Sequence, residues 1–267
     1  MCVVRLPCAG PPGQPAPATT APPPPFFPPP PPPPPPHTQE YEYAGGDGAK
    51  DPSGAGKQWQ PPWWNGGDDS QGECGVPVAR RFRTPQTGNG VFWYSFSAGP
   101  VHVAMLSSEH DPSPGAPMGD WLAGDLAAVD RAATPWLLVG IHRPLYETEA
   151  YAGDFEVAAG LRRIMEPLLL QFGVDVVLAG HYHSFQRTCR VANLTCVGPQ
   201  QAGVVHYTTG AAGAGLDAVD LYPSSYVEKT VLGVFGYSVL EANATALTLR
   251  FFKNADDSLL DEVALSK

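Results

Sequence analysis

The chain lacks several features that would assign a protein to a class at once. It contains no apolar run of the roughly 18 residues that a transmembrane helix requires, so no membrane partner is expected. It has no cluster of basic residues and a formal net charge of -10, which argues against a nucleic-acid partner because a phosphate backbone binds to a positive surface. Its first ten residues include one basic residue and no apolar segment of about 7–15 residues, so no signal peptide is predicted in this chain.

Cysteine is also scarce, with five residues in a chain of 267. Cys189 and Cys196 flank Asn193, which begins an Asn-x-Thr acceptor for N-glycosylation, and Asn243 begins a second acceptor. Two cysteines this close around an acceptor predict a disulfide-closed, glycosylated surface loop in an oxidising compartment. The alternative interpretation is a pair of buried free thiols.

Proline is abundant and unevenly distributed: the chain has 32, and most of them precede His37. Proline fixes φ and has no amide hydrogen, so residues 1–37 are predicted to form a stiff, disordered tail in the polyproline II conformation. Such a tract could also bind an SH3-type or WW-type partner. Residues 38–90, rich in Gly, Asp, Trp and Pro, predict a long, irregular and partly packed loop.

Regular structure begins at about residue 91, where strands alternate with helices. Short apolar runs predict the strands, and an apolar residue at every third or fourth position predicts the helices. The predicted order is a strand at 101–106, a helix at 119–132, a strand at 136–141, a helix at 154–172 that is kinked or restarts at Pro167, and a strand at 174–179. Strands that are apolar on both faces and separated by helices are typical of a parallel sheet with helices on both sides.

The chain beyond Cys196 follows a different pattern, in which apolar and polar residues alternate. Strands are predicted, in order, at 204–209, 235–241, 246–253 and 259–265, with a Gly-rich segment at 210–215. The second and third of these strands flank a turn at Asn243, as in a β-hairpin. We therefore divide the chain into a tail at 1–37, a partial α/β domain at 38–200 and an antiparallel β portion at 201–267.

Three histidines stand where two of the predicted parallel strands end. His142 follows the strand at 136–141, and His181 and His183 follow the strand at 174–179. The carboxyl ends of parallel strands meet at one edge of a sheet, where open α/β sheets bind ligands. Residues i and i+2 of extended backbone point to the same side, so the three imidazoles could face one metal ion. The alternative is that they are hydrogen-bonded polar residues.

The other histidines are expected to be structural. His102 and His206 lie within predicted strands, and His110 follows the first strand in a turn. His37 lies at the end of the proline tract and is only a remote candidate for a substitute ligand.

The histidine segments resemble two sequence blocks of the purple acid phosphatases. Residues 139–146, VGIHRPLY, resemble the VxxH block of that family, and residues 180–187, GHYHSFQR, resemble its GHxH block. The resemblance continues through GECGVP at 72–77, WYSF at 93–96 and SEHD at 108–111, and it covers about residues 40–265 in order. The chain is therefore similar to the C-terminal part of the catalytic domain of these metallophosphoesterases.

The resemblance implies a fold class, a reaction and a set of metal ligands. The fold would be α/β, a metallophosphoesterase-type β-sandwich flanked by helices, N-terminally incomplete and with an antiparallel C-terminal portion. The reaction would be that of an acid phosphatase, in which a metal-bound hydroxide hydrolyses a small phosphate monoester. His142 and His181 would bind a divalent metal (zinc, manganese or iron), and His183 would bind iron. The resemblance also implies a secreted or vacuolar location.

Other ligands of that family have no counterpart in this sequence. The family's GDxG, GDxxY and GNHE blocks supply two aspartates, a tyrosine and an asparagine, whereas here only EYEY at 40–43 resembles the end of the last block. Three neutral imidazoles do not replace anionic ligands around two multivalent cations. Two alternatives therefore stand beside an active phosphatase: a catalytically impaired or inactive member of the family, and an interaction protein that works through its proline tract.

Overall fold

The computed structural model of this chain describes residues 2–5, 53–54, 76–151, 154–218 and 220–267. The proline-rich tail predicted at 1–37, apart from the backbone of 2–5, lies outside the described residues, and so does most of the loop predicted at 38–90. No helix within the described ranges is long and apolar enough to cross a membrane.

The described part of the chain contains three helices and twelve strands. In chain order they are β1 (Cys2–Arg5), α1 (Val76–Arg81), β2 (Tyr94–Ala98), β3 (Val101–Met105), α2 (Pro117–Ala128), β4 (Trp136–Ile141), α3 (Asp154–Gln171), β5 (Val176–Ala179), β6 (Phe185–Ala192), β7 (Thr195–Cys196), β8 (Val204–Thr209), β9 (Val227–Val231), β10 (Gly236–Ala242), β11 (Ala246–Lys253) and β12 (Leu259–Ser266).

The larger of two sheets has the strand order β2-β3-β4-β5-β8-β6-β7, and β9 pairs with β6. Strands β3, β4, β5 and β8 run parallel, with Ile141 of β4 opposite Ala179 of β5. Helix α2 connects β3 to β4, and helix α3 connects β4 to β5. The predicted parallel β-α-β-α-β unit is therefore confirmed, and it brings the ends of β4 and β5 side by side.

Strand β4 shows what covers the two faces of this sheet, because all six of its residues are buried. Leu137, Val139 and Ile141 belong to a core cluster shared with α2 and α3, whereas Trp136 and Leu138 belong to a second cluster shared with the smaller sheet. Both helices thus lie on one face, and the smaller sheet covers the other. The prediction of helices on both sides is wrong, because an apolar strand requires a cover on each face without specifying a helix or a sheet.

The smaller sheet has the order β1-β10-β11-β12, and all of its pairings are antiparallel. The predicted hairpin is present as β10 and β11. The side-chain oxygen of Asn243 accepts hydrogen bonds from the amides of Thr245 and Ala246, which closes the turn between the two strands. The predicted last strand is present as β12.

The two sheets pack through alternating residues of β11. Leu247, Leu249 and Phe251 are almost fully buried in the cluster between the sheets. Phe251 stacks on Phe185 of β6 with ring centroids 4.2 Å apart and an interplanar angle of 6°. The protein is therefore an α/β β-sandwich with its two longer helices on the outer face of the larger sheet.

Helix α3 runs through Pro167 as one helix, so it does not restart there. Proline removes one backbone hydrogen bond and crowds the preceding turn. Leu161, Met165 and Leu169 follow one another at intervals of four residues and are fully buried on both sides of the proline. Burial of this continuous face offsets the lost hydrogen bond.

Candidate metal centre

His142 and His181 meet at the carboxyl edge of the larger sheet. His142 directly follows β4, and His181 lies two residues beyond the end of β5. Their nearest nitrogens, Nε2 of His142 and Nδ1 of His181, are 3.2 Å apart, and the rings cross at 77°. The amide of Gly180 donates to the carbonyl oxygen of His142 at 3.0 Å and ties the two strand ends together. The parallel register of β4 and β5 thus produces an imidazole pair.

The turn after β5 is tighter than the extended backbone assumed from the sequence. His181 has φ 66°, in the left-handed region, and the amide of Tyr182 donates to the carbonyl oxygen of Gly180 at 2.8 Å. A left-handed conformation in a residue other than glycine is strained by about 1–3 kcal/mol and is commonest at functional sites. The extended backbone assumed for residues 181–183 is therefore wrong, because the chain turns at His181.

A Gly-rich segment after β8 packs against this histidine turn. A Cβ on Gly210 would lie 1.8 Å from the carbonyl oxygen of Tyr182, so only glycine permits this approach. The amide of Gly210 donates to Ser184, and the amide of Asp217 donates to His183, both to carbonyl oxygens at 3.1 Å. The segment 210–217 therefore holds the turn from one side.

His183 is oriented by that same segment. Its Nδ1 lies 2.6 Å from the carbonyl oxygen of Gly215, which fixes the proton on Nδ1 and the lone pair on Nε2. Its amide donates to Oδ2 of Asp217 at 2.5 Å. Within the described residues, no three or more His, Cys, Asp or Glu side chains form a group that could hold a metal ion. The structure therefore pairs His142 with His181 and anchors His183 beside them to the Gly-rich segment.

The buried carboxyl group of Glu149 lies next to Asp217, which accepts the hydrogen bond from the His183 amide. Glu149 is fully buried, and Ser184 and Gln186 donate hydrogen bonds to its Oε1. Burial raises the pKa of Glu149 to about 7; the hydrogen bond from Ser184 opposes the shift, and the neighbouring carboxyl of Asp217 adds to it. Asp217 also accepts a hydrogen bond from the Tyr151 hydroxyl at 2.7 Å. The sequence reasoning missed both carboxyl groups, because neither lies in the histidine segments.

Arg143 places a positive charge next to the imidazole pair. Its side chain is buried, and Nε donates to Oε1 of Glu109 at 3.1 Å. Its Nη1 lies 3.5 Å from Nε2 of His181. The Ser108 hydroxyl donates to the same Glu109 oxygen at 2.7 Å. The sequence reasoning assigned no role to Arg143 or Glu109, although a charged residue directly after a strand-end histidine was a usable indication.

The remaining histidines of the described part have structural surroundings, as expected. His110 is buried against Phe92 and Trp93, and its Nδ1 lies 2.8 Å from the Ser107 hydroxyl. His102 contacts Asp125 and Ser97, each at 3.0 Å. His206 packs on Tyr146, and burial lowers its pKa to about 3. His37 lies outside the described residues.

The imidazole groups fit a divalent transition metal. Metal–nitrogen bonds of about 2.0–2.1 Å at a tetrahedral angle place two ligand nitrogens about 3.3 Å apart. The separation of 3.2 Å between His142 and His181 is close to that value. Ligand histidines usually donate their second ring N–H to a carbonyl or carboxylate, as Nδ1 of His183 does to Gly215. This geometry is therefore compatible with histidine ligands of a metal centre.

The structure contains the disulfide expected between Cys189 and Cys196, with Cα atoms 5.7 Å apart. The glycosylation acceptors Asn193 and Asn243 are both exposed in turns, and Asn193 has φ 48°. Their exposure is compatible with glycan attachment, which stays a prediction.

An apolar groove of about 570 Å³ opens beside His142. Its walls come from both sheets and include Phe96, Met105, Leu138 and Leu240. Since a phosphate group requires hydrogen-bond donors and positive charge, this groove is not a phosphate site.

Comparison with solved structures defines the class of protein to which this fold belongs. The purple acid phosphatase PPD1 from seeds of yellow lupin (Lupinus luteus) matches with a TM-score of 0.69 and 27% identity, over 79% of this chain and 38% of that chain. The protein therefore has the metallophosphoesterase fold of a purple acid phosphatase.

Sequence comparison narrows the class to a family. Residues 203–262 match the family model "Iron/zinc purple acid phosphatase-like protein C". The chain is 33% identical to "Probable inactive purple acid phosphatase 9" of Arabidopsis thaliana, over 78% of this chain and 35% of that protein. It is 35% identical to "Acid phosphatase A" of Cryphonectria parasitica, over 67% of this chain and 40% of that protein. The chain thus belongs to the purple acid phosphatase family, corresponds to its C-terminal region and spans less than half the length of these relatives.

Proposed function

We propose that this chain carries the histidine side of the metal centre of an acid phosphatase. The observation that carries the proposal is the separation of 3.2 Å between Nε2 of His142 and Nδ1 of His181, which suits two ligands of one divalent ion. The reaction would be metal-dependent hydrolysis of small phosphate monoesters. Relatives that are named acid phosphatases support this class of reaction.

The three histidines would bind two different metal ions. His142 and His181 would hold the divalent metal, which would be zinc, manganese or iron, and His183 would hold iron. A bound metal pair would neutralise the charge of the phosphoryl group and supply an activated water for hydrolysis. His142 is exposed, so a substrate could approach the centre from solvent on its side. Asp217 and the Gly215 carbonyl would keep His183 in place through its amide and Nδ1.

The test is an activity assay of the purified chain. The chain would be reconstituted with iron and with zinc or manganese, and hydrolysis of an aryl phosphate would be measured at mildly acidic pH. His181→Ala should abolish any turnover, whereas His102→Ala, which changes a histidine bonded to Asp125 and Ser97, should retain it. Turnover that survives His181→Ala would refute the proposed centre.

A second candidate function is that of a catalytically impaired member of the family. It is favoured by the absence, among the described residues, of a group of three or more potential ligands, and by the Arg143 guanidinium beside His181. Open catalytic zinc sites usually have three protein ligands, and the imidazole pair supplies two. We expect this chain to bind a divalent metal weakly and to be a poor phosphatase. Metal binding without turnover would support this second candidate.

The disulfide bears on the location of the protein, and its composition bears on its partners. The disulfide between Cys189 and Cys196 supports a secreted or vacuolar location, because disulfides persist in oxidising compartments. The substrate would be a small phosphorylated molecule rather than a nucleic acid. A partner of SH3 or WW type for the proline tract stays a prediction, since that tract lies outside the described residues.

A further inference from the structure

Arg143 makes a contact with His181 that does not suit a metal ion. Its guanidinium is held in a fixed direction by the buried ion pair with Glu109, in which both side chains are 6% exposed. Glu109 is itself fixed by the Ser108 hydroxyl. The positive charge beside His181 is therefore held in place by buried contacts, unlike the charge of an exposed surface side chain.

The guanidinium biases the tautomer of His181. A guanidinium has N–H donors and no acceptor. With Nη1 3.5 Å from Nε2 of His181, it favours the lone pair on Nε2 and hence the proton on Nδ1. That Nδ1 faces Nε2 of His142 at 3.2 Å, so His181 donates to His142. In this arrangement the two nitrogens that a metal ion would use are occupied by a hydrogen bond between them.

We propose that Arg143, held by Glu109, lowers the affinity of the His142–His181 pair for divalent metal ions. This inference rests on the proposed function, because it concerns the same pair of ligands. To bind an ion, His181 must move its proton to Nε2, where it faces the Arg143 N–H, and the ion must also approach a fixed positive charge. Where Glu109 is neutral, as in Glu109→Gln, the Arg143 charge a few ångströms from a divalent ion changes the binding constant by about tenfold or more at dielectric constants between those of water and a protein surface.

The experiment compares two variants that differ only at residue 143, where glutamine replaces the charged arginine. Glu109→Gln keeps an acceptor for the guanidinium, and Glu109→Gln combined with Arg143→Gln removes both charges, so no carboxylate is left buried alone. Binding of Zn²⁺ to the full chain would be measured by titration calorimetry. The double variant should bind Zn²⁺ at least about tenfold more tightly than Glu109→Gln, and His181→Ala in the double variant should abolish the gain.

A matched control removes one positive charge elsewhere. Arg163 is exposed on α3, and Arg163→Gln should leave the Zn²⁺ affinity of the wild-type chain unchanged. Equal Zn²⁺ affinity in the double variant and in Glu109→Gln would overturn the role of Arg143 while leaving the metal centre intact. Absence of Zn²⁺ binding in every form would overturn both the role of Arg143 and the proposed centre.

A measurement on the wild-type chain does not depend on the folding of any variant. In the metal-free protein, ¹⁵N correlation spectra of the histidine rings should show His181 with its proton on Nδ1. His183 should show the same tautomer, since its Nδ1 faces the Gly215 carbonyl, and it serves as an internal reference. A proton on Nε2 of His181 would refute the inference.

Discussion

Replacing Glu149 by glutamine should change how the stability of the protein depends on pH. The carboxyl group is fully buried between the loop after β4 and the histidine turn, with Ser184 and Gln186 as donors to one oxygen. Burial raises its pKa to about 7, from the 4.5 of an ordinary glutamic acid, and the nearby Asp217 carboxyl acts in the same direction. The folded protein therefore holds a proton on Glu149 more tightly than the unfolded chain does.

The size and the sign of the effect follow from this shift. Because the folded pKa lies above the unfolded one, the stabilisation is fully present below about pH 4.5 and is lost as the pH rises through about 7. Each pKa unit corresponds to about 1.4 kcal/mol, so the whole shift amounts to about 3.5 kcal/mol. Glutamine is neutral at every pH, so the stability of Glu149→Gln does not fall through ionisation of residue 149 as the pH rises.

The assay is urea unfolding of the wild-type chain and the variant at about pH 5 and about pH 8. The free energy of unfolding of Glu149→Gln, relative to wild type, should rise by about 2.5 kcal/mol between these two conditions, because a small part of the stabilisation is already lost at pH 5. Glu156→Gln, which removes an exposed carboxylate of α3, should keep the pH dependence of the wild type. If Glu149→Gln also keeps the wild-type pH dependence, Glu149 is not protonated in the folded protein and the reasoning is refuted.

Three further changes test the packing of the sandwich. Asp261→Ala should lower the free energy of unfolding by about 3 kcal/mol in urea, because it removes the better buried of the two carboxylate partners of Arg187. Phe251→Ala should lower it by about 3–5 kcal/mol, measured the same way, since it empties the fully buried stack on Phe185. Cys196→Ser should lower it by about 2 kcal/mol, and a reducing agent should then no longer change the thermal midpoint.

The secondary structure of the central region followed from local pattern. The apolar runs at 136–141 and 174–179 are β4 and β5, although β5 begins two residues later, at Val176. The hairpin around Asn243 was recognisable because one face of each strand is buried and the other only partly buried, so apolar and polar residues alternate. Pro167 misled the prediction, since the tertiary contacts that keep α3 whole are not visible in local sequence.

The part of the candidate site that lies at the ends of strands was predictable from the sequence. His142 and His181 meet because β4 and β5 are adjacent and parallel, which the alternation of strands and helices predicts. The position of His183 was not predictable, because it depends on the left-handed backbone of His181 and on contacts with the segment 210–217.

The sequence by itself determined the order of helices α2 and α3 and of seven strands (β3, β4, β5, β8, β10, β11 and β12), the disulfide, and the histidines that stand after two parallel strands. It did not predict β2, β6, β7 or β9. The features that it determined depend on residues close in the chain or on one rule of parallel connection. Only the tertiary structure decided that the smaller sheet covers one face of the larger, that Arg143 lies against His181 and that Glu149 shares a buried site with Asp217. The partners of these groups lie far along the chain, and charge and apolar pattern specify that a group needs a partner without specifying which one.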